Sequence, residues 1–145
     1  MPLVFWRCTV PSSVYPELQN AVLLCIDDDE DVLECEKAFL EMFGYTVLTA
    51  SNGSKGLELA STHSVEVVIV DYFMPQMNGQ EVAVEMRRLR PEAFIIMLSG
   101  AVDIPVPALH LVDAFVAKDR LGSQLLPTIA LLRGRAVVDT PSYQA

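Results

Sequence analysis

Positive charge is scarce in this sequence: 10 Lys and Arg stand against 19 Asp and Glu in 145 residues, a net charge of −9. Binding a phosphate backbone needs clustered cations, and the field of the excess acids would oppose it. Direct contact with nucleic acid is therefore not expected, and any effect on DNA would be indirect. Cysteine is sparse too. Cys8, Cys25 and Cys35 are odd in number and show neither CxxC nor Cys/His ligand spacing, so they imply no disulfide framework or zinc site, and a reducing cytoplasm fits best. No apolar run approaches the ~20 residues of a membrane span, so no membrane partner is expected. The patch Leu3 to Trp6 lacks the longer apolar core and small-residue cleavage site of a signal peptide. His63 and His110 have no partner motif, and no internal repeat or low-complexity segment is visible.

What is present is globular. Hydrophobic residues make up 52% and charged ones 20%, and the length suits one domain with a proper core. Residues 1–20 read as an N-terminal extension, 21–134 as the domain and 135–145 as a C-terminal tail. The most informative feature is where the acids fall. Asp27, Asp28 and Asp29 follow the apolar run Ala21 to Ile26, and Asp71 ends a second run, Val65 to Val70. Runs this rich in Val and Ile read as strands buried on both faces of a parallel sheet, whose ligands bind beyond the carboxyl ends of the strands. Acids delivered to one rim raise one another's pKa unless a cation lies between them, and oxygen-only ligation favours Mg2+.

Between and after these runs the pattern alternates. Asp31 to Phe43 predicts a helix with Val32, Cys35, Phe39 and Phe43 on one face and Gly44 as its C-terminal cap. Tyr45 to Thr49 follows as a strand, then a helix from Asn52 to about His63. After Asp71 comes a loop with Pro75 and Gly79, then a helix from about Asn78 to Arg90 with Val82, Met86 and Leu89 inward. Arg87, Arg88 and Arg90 read as its solvated face. Phe94 to Leu98 and Ala114 to Ala117 are the last strands, and Leu121 to Arg133 predicts a final helix with Leu121, Leu125, Ile129 and Leu132 at helical spacing. Strands alternating with helices predict an α/β fold, a doubly wound five-stranded parallel sheet with right-handed crossovers. Pro105 and Pro107 each remove a backbone donor, so the fourth helix should be short, late-starting or distorted.

Two further polar groups end strands, Ser99 after strand four and Lys118 after strand five. Phosphoryl transfer asks for positive charge and donors around the equatorial oxygens, which a metal, a lysine and a hydroxyl supply, and a carboxylate can be the nucleophile. Asp71, alone at the end of the central strand, is the natural one. At these residues the chain resembles the bacterial response-regulator receiver domain, the phospho-acceptor module of two-component signalling. The acidic pair Asp27-Asp28, the run Asp71-Tyr-Phe-Met-Pro-Gln-Met-Asn-Gly79, Ser99 and Lys118 follow in order at separations of 43, 28 and 19 residues from Asp28 onward. The resemblance covers about residues 20 to 134. It implies a flavodoxin-like sheet with strand order 2-1-3-4-5 and no enzymatic activity beyond self-catalysed phosphorylation and dephosphorylation. It further implies that Asp71 accepts a phosphoryl group from a histidine kinase or histidine phosphotransferase, switching a surface for a downstream protein. Asp28, Asp71 and the backbone carbonyl of Phe73 would bind Mg2+, with Asp27 assisting through water. Lys118 and Ser99 would contact the phosphoryl oxygens, and Ser99 with Phe115 would form the switch pair.

Three departures from the family pattern stand out. Asp119 replaces the proline that usually follows the lysine in a cis bond, and a cis peptide without proline costs ~2.5–4 kcal/mol. The stretch from Ser99 to Lys118 is short and holds two prolines, on the surface through which many receivers dimerise, so a homodimer there would be altered. Phe73, two residues after Asp71, is apolar where a polar side chain can place the attacking water, which predicts a long-lived phosphorylated state. Two alternatives remain. A haloacid-dehalogenase-like phosphatase needs a second Asp where Phe73 stands, and a pseudo-receiver would be expected to lose acids or the lysine that this chain keeps.

Overall fold

The computed structural model describes residues 21–100 and 104–138. The extension read over residues 1–20 lies outside them. Five strands, β1 (Val22–Ile26), β2 (Thr46–Ala50), β3 (Val67–Asp71), β4 (Phe94–Ser99) and β5 (Ala114–Ala117), form one sheet in the order β2-β1-β3-β4-β5. Every pairing is parallel. The helices are α1 (Glu30–Glu41), α2 (Gly53–Thr62), α3 (Gly79–Leu89), α4 (Val106–His110) and α5 (Leu121–Val138). The doubly wound α/β arrangement and its strand order are those expected from the sequence.

Because side chains alternate along a strand, β1 to β4 each feed two cores. Leu23 and Cys25 of β1, Val67 and Ile69 of β3, and Ile96 and Leu98 of β4 pack with Leu33 and Leu40 of α1 and Leu125, Ile129 and Leu132 of α5. Leu24, Ile26, Val68, Val70, Ile95 and Met97 pack on the other face with Ala60, Val82, Ala83, Met86 and Ala108. All five residues of β3 are buried, which makes Asp71 the end of the most enclosed strand.

The helix ends follow their capping chemistry. Asp29 caps α1, its Oδ1 accepting from the amides of Asp31 and Val32 at 3.0 and 3.4 Å. Asn78 and Glu81 form a reciprocal capping box at the start of α3. Gly44 turns the chain after α1 with φ +93°, a left-handed conformation that an L side chain rarely adopts.

Three details correct the sequence pattern. The inner face of α1 is Leu33, Glu36 and Leu40, not Val32, Cys35, Phe39 and Phe43: Cys35 and Phe43 are exposed and Phe39 is only partly covered. The charged Glu36 interrupts the true stripe, so the neighbouring apolar set, one residue round the helix, looked more regular. Leu89 is exposed at the end of α3, where Ala83 is buried in its stead. And α5 runs on to Val138 with the exposed Pro127 inside it, past the expected end at Arg133 and into the stretch read as tail. The fourth helix is short, as the prolines imply, beginning only after Pro105.

Arg87 and Arg90 are not simply solvated. Arg87 donates from Nε to Leu111 O at 3.2 Å, from Nη1 to Ala93 O at 3.0 Å and from Nη2 to Asp113 Oδ2 at 2.7 Å. Arg90 binds the carbonyls of Ala60 and His63 at 2.8 and 3.0 Å. Only Arg88 stays on the solvent side, beside Glu85.

Candidate functional site

The carboxyl ends of β1, β3, β4 and β5 bring Asp27, Asp71, Ser99 and Lys118 to one rim, with Asp28 beside them. Asp27 and Asp71 are 1% and 5% exposed, whereas Asp28 is open to solvent. Lys118 Nζ lies 3.2 Å from Asp71 Oδ2 in a hydrogen-bonded ion pair. It also lies 2.9 Å from Asp27 Oδ2 in a second ion pair. Asp27 Oδ1 accepts from the amide of Asp29 at 2.9 Å, which fixes its carboxylate toward the rim. One oxygen each from Asp27, Asp28 and Asp71 lie within 4.8 Å of one another. Asp29 faces away as the α1 cap, so the acidic run divides between a helix terminus and the rim.

Burial raises the pKa of Asp71, and the neighbouring charge of Asp27 raises it further against the pull of Lys118 and the Phe73 amide. Burial alone would lower Lys118, but the carboxylates of Asp27 and Asp71 outweigh it and raise its pKa. Lys118 is thus a firmly charged ammonium between two acids. The site can hold a hard cation on its acids and an oxyanion beside Lys118.

The loop after β3 is shaped by its backbone. Gln76 has φ +71°, and the amide of Met77 donates to Pro75 O at 2.8 Å, a tight three-residue turn of strained geometry. Gly79 then passes against the strand end: a Cβ there would lie 2.7 Å from Asp71 O and 2.8 Å from Tyr72 Cα. Phe73 is 52% exposed, its ring edge-on to Tyr72 with centroids 4.7 Å apart. Ser99 is buried on β4 opposite Ala117. Phe115 is paired with Met97 and 39% exposed, so its ring is not turned inward. No peptide bond among the described residues is cis, so Lys118 and Asp119 are joined in trans and lead into a 3-10 turn, Lys118–Arg120.

Glu36 was missed by the sequence pattern. It is 1% exposed, bonded to the Cys25 thiol, and its pKa is raised to about 7, chiefly by burial. Its signal was present in the spacing Leu33, Glu36, Leu40. Cys25 itself is held well above the usual thiol range by burial and by Glu36, so it is inert core.

A sequence model of the response regulator receiver domain matches residues 23–120. The chain belongs to that family. Among curated relatives, the probable transcriptional regulator ycf27 of Cyanidium caldarium is 35% identical over 82 residues, covering 57% of this chain and 32% of ycf27. This receiver chain spans about a fifth to a third of the length of the curated relatives it matches. Among solved structures, the response regulator TrrA of Thermotoga maritima in complex with Mg2+-BeF is 29% identical with a TM-score of 0.73, covering 77% of this chain and 98% of TrrA. A complex of the histidine kinase ThkA with TrrA matches with a TM-score of 0.70 at 29% identity, covering 77% of this chain and 97% of the other. No helix among the described residues is long and apolar enough to cross a membrane.

Proposed function

We propose that this receiver accepts a phosphoryl group on Asp71 from a histidine kinase or histidine phosphotransferase, in a Mg2+-dependent step, and so switches a surface for a downstream protein. The observation that carries this is the buried Asp71 carboxylate at the end of the central strand, 3.2 Å from Lys118 and clustered with Asp27 and Asp28. A carboxylate oxygen of Asp71 attacks phosphorus, the bond from phosphorus to the imidazole nitrogen breaks, and the histidine leaves with the electron pair.

The donor set suits Mg2+, since it is all oxygen and spans only 4.8 Å. Asp28, Asp71 and the Phe73 carbonyl would hold the ion and Asp27 would act through water; when bound, it supplies positive charge to the phosphoryl oxygens. Lys118 neutralises a phosphoryl oxygen by exchanging its contact with Asp71, and Ser99 donates a hydrogen bond. The similarity to TrrA, solved with a histidine kinase, supports that class of donor.

Incubation with acetyl phosphate and Mg2+ should add the mass of one acid-labile phosphoryl group. Asp71→Asn should abolish it, and labelling of that variant at the parent's yield would refute the assignment. Asp28→Ala should weaken Mg2+ binding, and an unchanged titration would place the ion elsewhere.

A further inference from the structure

A cleft of about 340 Å³ opens between α1 and the start of α5, lined by Asp31, Val32, Cys35, Glu36, Lys118 and Leu121. Glu36 is 1% exposed, yet its Oε2 has no hydrogen-bond partner. A buried carboxylate oxygen without a donor is costly, and it favours any ligand that brings one. The only cation of this lining, Lys118, is already engaged by Asp27 and Asp71. The local field is therefore negative, from Glu36 and Asp31 in the wall and Glu34 nearby on the same helix. Val32, Cys35 and Leu121 supply an apolar side, and the volume is within the range of small-molecule pockets.

We propose that this cleft binds a small amphipathic amine, an ammonium carried on a compact apolar body, with Glu36 as its anchor. The ammonium donates to Glu36 and the apolar body lies against Val32 and Leu121. Lys118 is shared between the cleft and the acid rim, so occupancy alters the setting of the ammonium that faces Asp71. That consequence rests on the function proposed above; binding itself does not.

The test uses the full chain labelled with nitrogen-15, with benzylamine as probe and benzyl alcohol as its neutral counterpart. Benzylamine should give saturable amide shifts confined to residues 31–36 and 118–121, and the alcohol should bind about tenfold more weakly. Glu36→Gln should weaken the amine about tenfold and leave the alcohol unchanged, whereas Glu34→Gln, altering an exposed acid outside the lining, should change neither. In the unaltered protein, contacts by nuclear Overhauser effect should run from the probe to the methyls of Val32 and Leu121, a readout independent of whether the variant folds. Absence of saturation up to about 10 mM, equal affinity for the two probes, or contacts elsewhere would overturn the proposal. An unlabelled Asp71 alongside intact binding would count against the proposed function and leave this site standing.

Discussion

Single side chains set the chemistry of the rim. Phe73 stands half-exposed at its edge, held edge-on to Tyr72, and a phenyl ring cannot orient a water for attack on the phosphoryl group proposed at Asp71. A barrier higher by only ~1.4 kcal/mol would lengthen the lifetime about tenfold. Phe73→Asn should therefore speed autodephosphorylation about tenfold, read as the decay of acid-labile phosphate; equal rates in the two proteins would remove the idea. Glu36 makes a separate prediction about pH. Its folded pKa, about 7, lies above the ordinary 4.5, so the native state binds its proton more tightly than the unfolded chain. The stability this contributes is whole below about pH 4.5 and is lost as pH rises through about 7, a change of about 3 kcal/mol at most. The comparison is with Glu36→Gln, which removes this ionisation alone. Urea unfolding across that range should show the parent losing stability relative to the variant, and parallel curves would deny the shift.

At the scale of elements, α4 is the shortest α-helix among the described residues. Its carboxyl end is tied down by Arg87, which bridges α3 to Leu111, Ala93 and Asp113, while Asp113 Oδ2 also accepts the amide of Ile95 at 2.8 Å. Arg87→Met would remove the Arg87 donors from the carbonyls of Leu111 and Ala93 and leave Asp113 Oδ2 with the Ile95 amide alone, at a cost of about 1–3 kcal/mol. Amide hydrogen exchange should accelerate over residues 106–113 in that variant while β1 and β3 keep their protection. Unchanged exchange in α4 would mean that packing of Ala108 alone holds the helix. Val106 and Leu109 of α4 are exposed at 61% and 37%.

For the whole molecule, the described core residues on either side of the sheet run from Ala21 to Leu132. Deleting residues 1–20 should leave a cooperative thermal transition, because they precede the first strand and carry no periodic apolar face. A truncated protein that melts without cooperativity would place Phe5 or Trp6 in a core. The acidic excess, −9 over the chain, works at the same scale. It repels polyanions and draws cations toward the rim, with an effect that falls as salt rises.

The alternation of apolar runs and helical spacings determined the class of fold, because a parallel sheet needs continuous Val and Ile runs and a crossover helix between them. Order along the chain likewise located Asp27, Asp71, Ser99 and Lys118 at strand ends, since the edge of such a sheet is fixed by where its strands stop. Tertiary structure alone decided which face of α1 is buried, for the charged residue at 36 interrupts the true stripe and made its neighbour read as the more regular one. It alone turned Asp29 into a cap while leaving Asp27 and Asp28 at the rim, and it alone gave Arg87 its partners 6 to 26 residues away. Periodicity reports which residues share a face, whereas the partner of a buried charge is set by elements far apart in sequence that meet only when the sheet has formed.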